Sequence, residues 1–223
     1  VKTELIRNPQ LVQLVDRPTP ELQLALGLDL GTTTGVAYTW FDPTEAYNPI
    51  TRPIYLGQWD LSPGEHGTNP IRFVRLRHFL AAMAPSIVFF EAVKNTPSMG
   101  TIGRMNVNAI VARAATSLML FGAYMSTVTS WCEEKEIPCT GISISDIKKR
   151  ATNKGNASKD DVILACNALF NTDFDPETHD QTGVDNIADA AFCLLVGLEV
   201  HANGVATKVH ASGSTAGTTV VRV

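Results

Sequence analysis

Four carboxylates stand where an acid is costly unless something uses it. Asp29 closes the apolar run Leu-Ala-Leu-Gly-Leu-Asp at 24–29, and Glu91 closes Ile-Val-Phe-Phe-Glu at 87–91. Taking a lone carboxylate into an apolar strand is expensive, so each acid calls for a partner. Asp185 and Asp189 lie in Val-Asp-Asn-Ile-Ala-Asp-Ala-Ala at 184–191. A spacing of four puts both on one face of a helix, with Asn186 near that face. Carboxylates from two strands and a helix suit Mg²⁺ or Mn²⁺, which prefer hard oxygen ligands. Two such ions about 3.5–4 Å apart activate water and stabilise the leaving oxygen in phosphodiester hydrolysis. Each acid also has a bland reading. Asp29 opens the turn Gly31-Thr-Thr-Thr-Gly35, Glu91 is a solvated strand end, and Asp185 offsets a helix dipole. Asp189, a turn deeper among Ile187, Ala188 and Ala190, has the least reason to be there as structure alone.

Cations cluster in a second region. Lys148, Lys149, Arg150, Lys154 and Lys159 fall within twelve residues, and Arg72, Arg75 and Arg77 form another group. The formal net charge is −4. Phosphate contacts dominate nucleic-acid binding, so distribution matters more than the sum. Lys148, Lys149, Lys154 and Lys159 are therefore candidate nucleic-acid contacts on an otherwise acidic protein. The alternative is a solvated helix face.

The elements that must position these groups can be read from pattern. Residues 24–29 and 36–41 form a hairpin around the Gly31–Gly35 turn, and 54–60 adds a third strand. Asn69 and Pro70 open a helix whose buried face is Ile71, Val74, Phe79, Leu80 and Met83. A buried strand at 87–91 follows, then a loop at 95–103 and a helix over 105–134 rich in small residues, which Pro138 ends. A short strand at 139–142 precedes a helix capped by Ser145. Ser158 to Asp161 is a capping box that opens a helix to Phe170. Residues 171–183 read as a polar loop, and the last helix runs from Val184 to about His201. Three strands in a meander followed by alternating helices and strands is an α/β pattern with a mixed sheet. Residues 1–23 read as an extended arm and 24–201 as one domain. The Gly/Ser/Thr-rich stretch 202–223 reads as a loosely ordered tail.

The bulk properties fit this organisation. An apolar fraction of 44% in 223 residues is enough to bury a core. No apolar run approaches the roughly 18 residues of a membrane-spanning helix, and the first residues lack a secretory signal's apolar core. Cys132, Cys139, Cys166 and Cys193 form no C-x-x-C pair. They read as small buried thiols, consistent with a reducing, DNA-containing compartment such as the cytoplasm.

Four of these motifs, in this order, resemble the RuvC-type Holliday junction resolvases. Leu-Asp-Leu-Gly-Thr-Thr-Thr-Gly-Val-Ala resembles the family's first strand, and Phe-Phe-Glu its second acidic strand end. The stretch from Ser145 to Val162 resembles its basic helix and following turn, and Asp-Asn-Ile-Ala-Asp-Ala-Ala its last helix. The resemblance implies an RNase H-like fold, a mixed sheet of about five strands flanked by helices. It implies that Asp29, Glu91 and Asp189 bind metal and that Lys148, Lys149 and Lys159 approach DNA phosphates. It implies cleavage of four-way DNA junctions by a homodimer. In the family the last helix often spaces its acids, or an acid and a His, by three. Here Asp185 and Asp189 are four apart and Asn186 fills the other slot, so Asp185 or Asn186 completes the set. Val93 and Lys94 stand where some relatives carry an aromatic wedge, which shifts junction opening to Met99 or Met105.

Three rival readings stay open. One is a nuclease of the same fold acting on another branched DNA or an RNA–DNA hybrid. Another is a non-catalytic DNA-binding relative. The third is an actin-like or sugar-kinase-like ATP-binding domain, which shares Asp-Leu-Gly-Thr-Thr-Thr-Gly but needs a second domain and a Gly-Gly adenosine loop. The small residues of the helix over 105–134, among them Ala115 and Gly122, leave a second apolar surface that a twofold interface would bury. A wholly internal helix is the alternative.

Overall fold

The computed structural model describes residues 3–5, 18–45, 52–64, 67–92 and 107–209. Strands β1 (Thr3–Leu5), β2 (Gln23–Asp29), β3 (Thr33–Phe41), β4 (Ile54–Asp60), β5 (Ile87–Ala92) and β6 (Cys139–Ser143) form one sheet in the order β1-β4-β3-β2-β5-β6. The β2–β3–β4 meander is antiparallel, while β5 runs parallel to β2 and β6 parallel to β5. This is the expected mixed sheet, with one short strand more. Thr3–Leu5, within the expected arm, pairs in parallel with Ile54, Tyr55 and Leu56 at the edge. The helices are α1 (Ile71–Met83), α2 (Val107–Glu134), α3 (Ile144–Thr152), α4 (Lys159–Phe170), α5 (His179–Thr182) and α6 (Val184–Val209).

Alternation along the strands makes two unlike faces. Leu24, Leu26 and Leu28 of β2 join Tyr38, Trp59, Leu76, Leu80, Tyr124 and Trp131 in a core under α1 and α2. Ala25, Ala37, Leu56 and Phe89 face the other way, onto α6, with α3 and α4 stacked beyond it. Small residues on that face let α6 lie close to the backbone. A Cβ added at Gly27 would stand 2.7 Å from Leu194 Cβ, and one at Gly35 would stand 1.8 Å from the Asn186 carbonyl oxygen. Only glycine permits that approach. Covered on both sides, α6 buries Ala188, Ala190, Ala191, Phe192, Cys193, Leu194 and Leu195, as expected of a helix apolar all round.

Several boundaries differ from expectation. Ser143, the last residue of β6, caps α3 in place of Ser145, because the strand runs into the helix without a loop; its Oγ accepts from the Asp146 N–H. The α4 capping box of Ser158 and Asp161 is present as expected. Pro70, not Asn69, is the α1 cap residue, and it makes no side-chain cap bond. A tight turn from Thr68 replaces the cap, with Ile71 N bonding back to Thr68 O at 3.0 Å. The buried α1 face is Leu76, Leu80 and Met83, whereas Val74 is 44% exposed. The expected polar loop at 171–183 contains a 3₁₀ turn, Pro176–Thr178, and α5. The last helix does not stop near His201 but continues to Val209, since no proline interrupts it. Val93, Lys94, Met99 and Met105, and the tail from 210, lie outside the described residues. Among the described residues, no helix is long and apolar enough to cross a membrane.

Candidate active site

Register brings the first two acids together. Leu28 of β2 stands opposite Phe90 of β5 in the parallel pair, so Asp29 and Glu91 are the next residues on adjacent strands. Both share the α6 face with Ala25 and Phe89, by the period of two. Asp189 comes down from α6. One carboxylate oxygen from each of Asp29, Glu91 and Asp189 lies within 4.8 Å of the others.

Like charges this close, inside a packed protein, resist ionisation. Burial, reinforced by the charges of Glu91, Asp189 and Asp185, holds the Asp29 carboxyl well above the usual range. Burial and then Asp189 push Glu91 up to about 7, against the pull of Lys148. Burial and then Asp185 raise Asp189 to about 6, opposed by Lys148 and Lys159. The Asp189 Oδ1 atom is buried and accepts no hydrogen bond. Three converging hard oxygens, mutual repulsion and an unpartnered acceptor are what a divalent cation would relieve, so the residues fit Mg²⁺ or Mn²⁺.

The structure treats the four acids unequally. Asp185 stands beside the cluster, buried, with Oδ2 accepting from Lys159 Nζ at 2.7 Å. Asn186 points its amide to β3, where Nδ2 donates to the Thr33 carbonyl at 2.8 Å. The three-acid cluster is thus closed by Asp189, while the two other candidates on α6 already have partners.

The basic stretch divides as well. Lys148 is half-buried, donates to the Ala157 carbonyl at 2.7 Å, and acts on Glu91 and Asp189. Lys159 is the second cation at the acids. Lys149, one residue after Lys148, lines a different cleft beside β6 with Asp146, Arg150 and Glu199. Arg150 Nε pairs with Glu199 at 2.7 Å. Lys154 is exposed in the turn between α3 and α4. The arginines of α1 diverge: Arg72 donates to Thr32 Oγ1 at 3.2 Å, Arg75 to the Ser62 carbonyl, and Arg77 to Glu134 at 2.6 Å.

A polar pocket beside the acids was not foreseen. Gln58 of β4, Thr33, His179, Gly183, Asp185 and Asn186 line it, and its volume is about 230 Å³. The signal was present in β4: Ile54, Leu56 and Gln58 alternate onto the α6 face, which puts an amide where the first two positions are core.

No protein-family model matches this chain, and no curated protein matches it. Solved structures do. The Thermus thermophilus RuvC structure superposes with a TM-score of 0.51 at 16% identity, covering 82% of this chain and 97% of that one. T. thermophilus RuvC in complex with Holliday junction substrate gives 0.54 at 14% identity, covering 81% and 96%. At such identities the likeness establishes the fold: this is an RNase H-like α/β domain of the RuvC shape.

Proposed function

We propose that the chain is a metal-dependent endonuclease that cuts four-way DNA junctions. The observation that carries the reading is the convergence of Asp29, Glu91 and Asp189, one oxygen each within 4.8 Å, at the end of two adjacent parallel strands. The fold shared with a protein solved on a Holliday junction favours branched DNA as substrate.

Asp29, Glu91 and Asp189 would hold the metal, which when bound activates water and stabilises the leaving oxygen of a phosphodiester. The protein's own groups do the rest. Strand register fixes Asp29 against Glu91, and α6, seated on Gly27 and Gly35, fixes Asp189 against both. Lys159 reaches the acids from the start of α4, with its side chain 54% exposed; one N–H of its ammonium goes to Asp185, and the others remain to meet a phosphate oxygen. Lys148, tied to Ala157, supplies a fixed positive charge behind Glu91 and Asp189.

Symmetric cutting of a junction needs two sites, so the reading includes a homodimer. Leu118 and Met119 on α2 are 46% and 76% exposed, on the side of the sheet away from α6, and supply apolar area for a twofold contact. The test is cleavage, with Mg²⁺, of a synthetic four-way junction, a flap, a plain duplex and an RNA–DNA hybrid. Paired nicks in the junction alone are expected. Preferential cutting of the hybrid or flap would keep the chemistry and replace the substrate. No cutting of any of them would overturn the proposal.

A further inference from the structure

The cleft beside β6 has a volume of about 380 Å³ and follows the outer edge of the sheet, with Thr140, Gly141, Ile142 and Ser143 along one wall. β6 is the last strand in the sheet order, and among the described residues it pairs only with β5. Val88, opposite Cys139, donates to the Pro138 carbonyl at 2.9 Å. In a parallel pair this pattern repeats every two residues, so Pro138, Thr140 and Ile142 turn their backbone groups to β5. Cys139 and Gly141 turn theirs outward. Gly141 has no side chain, so the wall it gives the cleft is main chain. A Cβ there would point away, 2.9 Å from Ala92 Cβ. A chain lying in the cleft therefore meets open hydrogen-bonding groups, and such an edge is a template for one more strand.

The rest of the lining suits an extended segment with little charge. Val196 and Val200 of α6 are half-buried and supply an apolar wall near Ile142. Lys149 and Arg150 are matched by Asp146 and Glu199, and Arg150 is paired with Glu199 at 2.7 Å, so the cleft selects neither an anion nor a cation. The chain itself holds a segment of this kind. Residues 218–223, Thr-Thr-Val-Val-Arg-Val, are β-branched at five of six positions, and Arg222 is their one charged side chain. They lie outside the described residues, as does the stretch 210–217, rich in small residues, that joins them to α6. α6 brings the chain to the end of β6 where such a strand would start. Asp189 stands by Glu91 and Gly197 packs on Phe89, so α6 runs against β5 and β6 and leaves at the Cys139 end. Helical rise carries it about 14 Å from Val200 to Val209. Residues 210–217, at about 3.3 Å each, reach back roughly 26 Å, enough to recover that distance and cross the roughly 10 Å between packed layers.

We propose that segment 218–223 of this chain pairs as a parallel strand with the outer edge of β6. The direction follows from α6: a chain that turns back at the Cys139 end runs the same way as β6. Its N–H and C=O groups meet those of Cys139 and Gly141. Alternation puts Thr219, Val221 and Val223 on one face, toward Ile142, Val196 and Val200 in the cleft, and Arg222 on the other. The six-stranded sheet gains one strand, and its β6 edge is closed to pairing with other chains. The inference is independent of the nuclease reading.

The experiment measures amide hydrogen exchange by NMR in the full chain, comparing Gly141, whose N–H faces outward, with Val88, whose N–H is bonded inside the sheet. The disrupting variant combines Val220→Pro and Val221→Pro, since one of two neighbouring residues must turn its N–H toward β6. Gly141 should exchange about tenfold or more slowly in the wild-type chain than in that variant, while Val88 stays protected in both. Val221→Asp keeps every N–H but sets a charge against the apolar wall, and it should release Gly141 as well. Ser212→Pro, in the joining stretch, should leave Gly141 protected. The wild-type protection should not depend on protein concentration. Equal Gly141 exchange in the wild type and the double-proline variant overturns the inference, as does a loss of protection that extends equally to Val88. Protection that grows with concentration assigns the edge to a second copy and overturns it too.

Discussion

Lys159 Nζ and Asp185 Oδ2 are 2.7 Å apart, joining the first residue of α4 to the first turn of α6 beside the three converging acids. The hydrogen bond to Asp185 is the main reason the Lys159 ammonium holds its proton more tightly than usual. Lys159 is half exposed, so its pairing contributes little to stability, less than about 1 kcal/mol after screening. Its weight falls on function. Lys159→Ala should lower junction cleavage by about tenfold or more with little change in melting temperature. Lys149→Ala, in the separate cleft beside β6, should change cleavage far less. The salt dependence of junction binding should weaken in Lys159→Ala, since a lost phosphate contact releases fewer counterions. Equal effects of the two substitutions would show that the lysines act only as a diffuse positive face.

Asp29→Asn, Glu91→Gln and Asp189→Asn should each cut the cleavage rate by about 10³-fold, because a lost ligand removes several kcal/mol of charge stabilisation. Junction binding should survive. Wild-type rates in any one variant would remove that residue from the site. Asp185→Asn should give a smaller loss, since Asp185 stands outside the cluster and is paired with Lys159.

The same acids set a pH dependence of stability. Folding raises Glu91 from 4.5 to about 7 and Asp189 from 3.8 to about 6. A carboxyl that binds its proton more tightly when folded stabilises the fold fully below its unfolded value. That contribution is lost as pH rises through the folded value. In chelator, the melting temperature should therefore fall between about pH 4 and pH 7. Millimolar Mg²⁺ or Mn²⁺ should restore it at pH 8 and have little effect at pH 4.5. Asp189→Asn should raise the metal-free melting temperature at pH 8 and blunt the response to metal. A metal response that is the same at both pH values would contradict the assigned cluster.

Gly35→Ala tests the seating of α6. The new Cβ would meet the Asn186 carbonyl oxygen at 1.8 Å, a methyl against helix backbone, so no flexible side chain can give way. A loss of about 3 kcal/mol or more is expected in denaturant titration, as for severe overpacking. Gly122→Ala on α2, where a Cβ meets nothing within 4 Å, is the control and should be neutral or slightly stabilising.

Assembly is checked by sedimentation at micromolar concentration. The chain should be a dimer, and Met119→Glu, at a residue 76% exposed on α2, should dissociate it without unfolding it. The monomer should then nick single strands instead of making paired cuts. A wild-type monomer that makes paired, symmetric cuts would exclude the dimer requirement.

The sequence by itself determined the parts of this protein that depend on neighbours along the chain. An acid at the end of each apolar run marked Asp29 and Glu91, helical spacing marked the face of Asp185 and Asp189, and Ser158 with Asp161 marked the start of α4. The α/β pattern and the mixed sheet followed from the order of the same runs. Tertiary structure decided how those parts are shared out. Asp185 and Asp189 share a helix face but differ by about 6 Å along the axis, four steps of 1.5 Å. Which of them meets β2 and β5 depends on where α6 crosses the sheet, and Gly27 and Gly35 set that from far away in the chain. Lys148 and Lys149 are neighbours in sequence, yet one residue of helix turns the side chain by about 100°. One lysine therefore faces the acids and the other a different cleft. Gln58 becomes part of a pocket only because β4, α5 and α6 meet there. Local pattern fixes the type and face of each residue. Partners more than a hundred residues apart are fixed by packing, through close approach of backbones that no local pattern records.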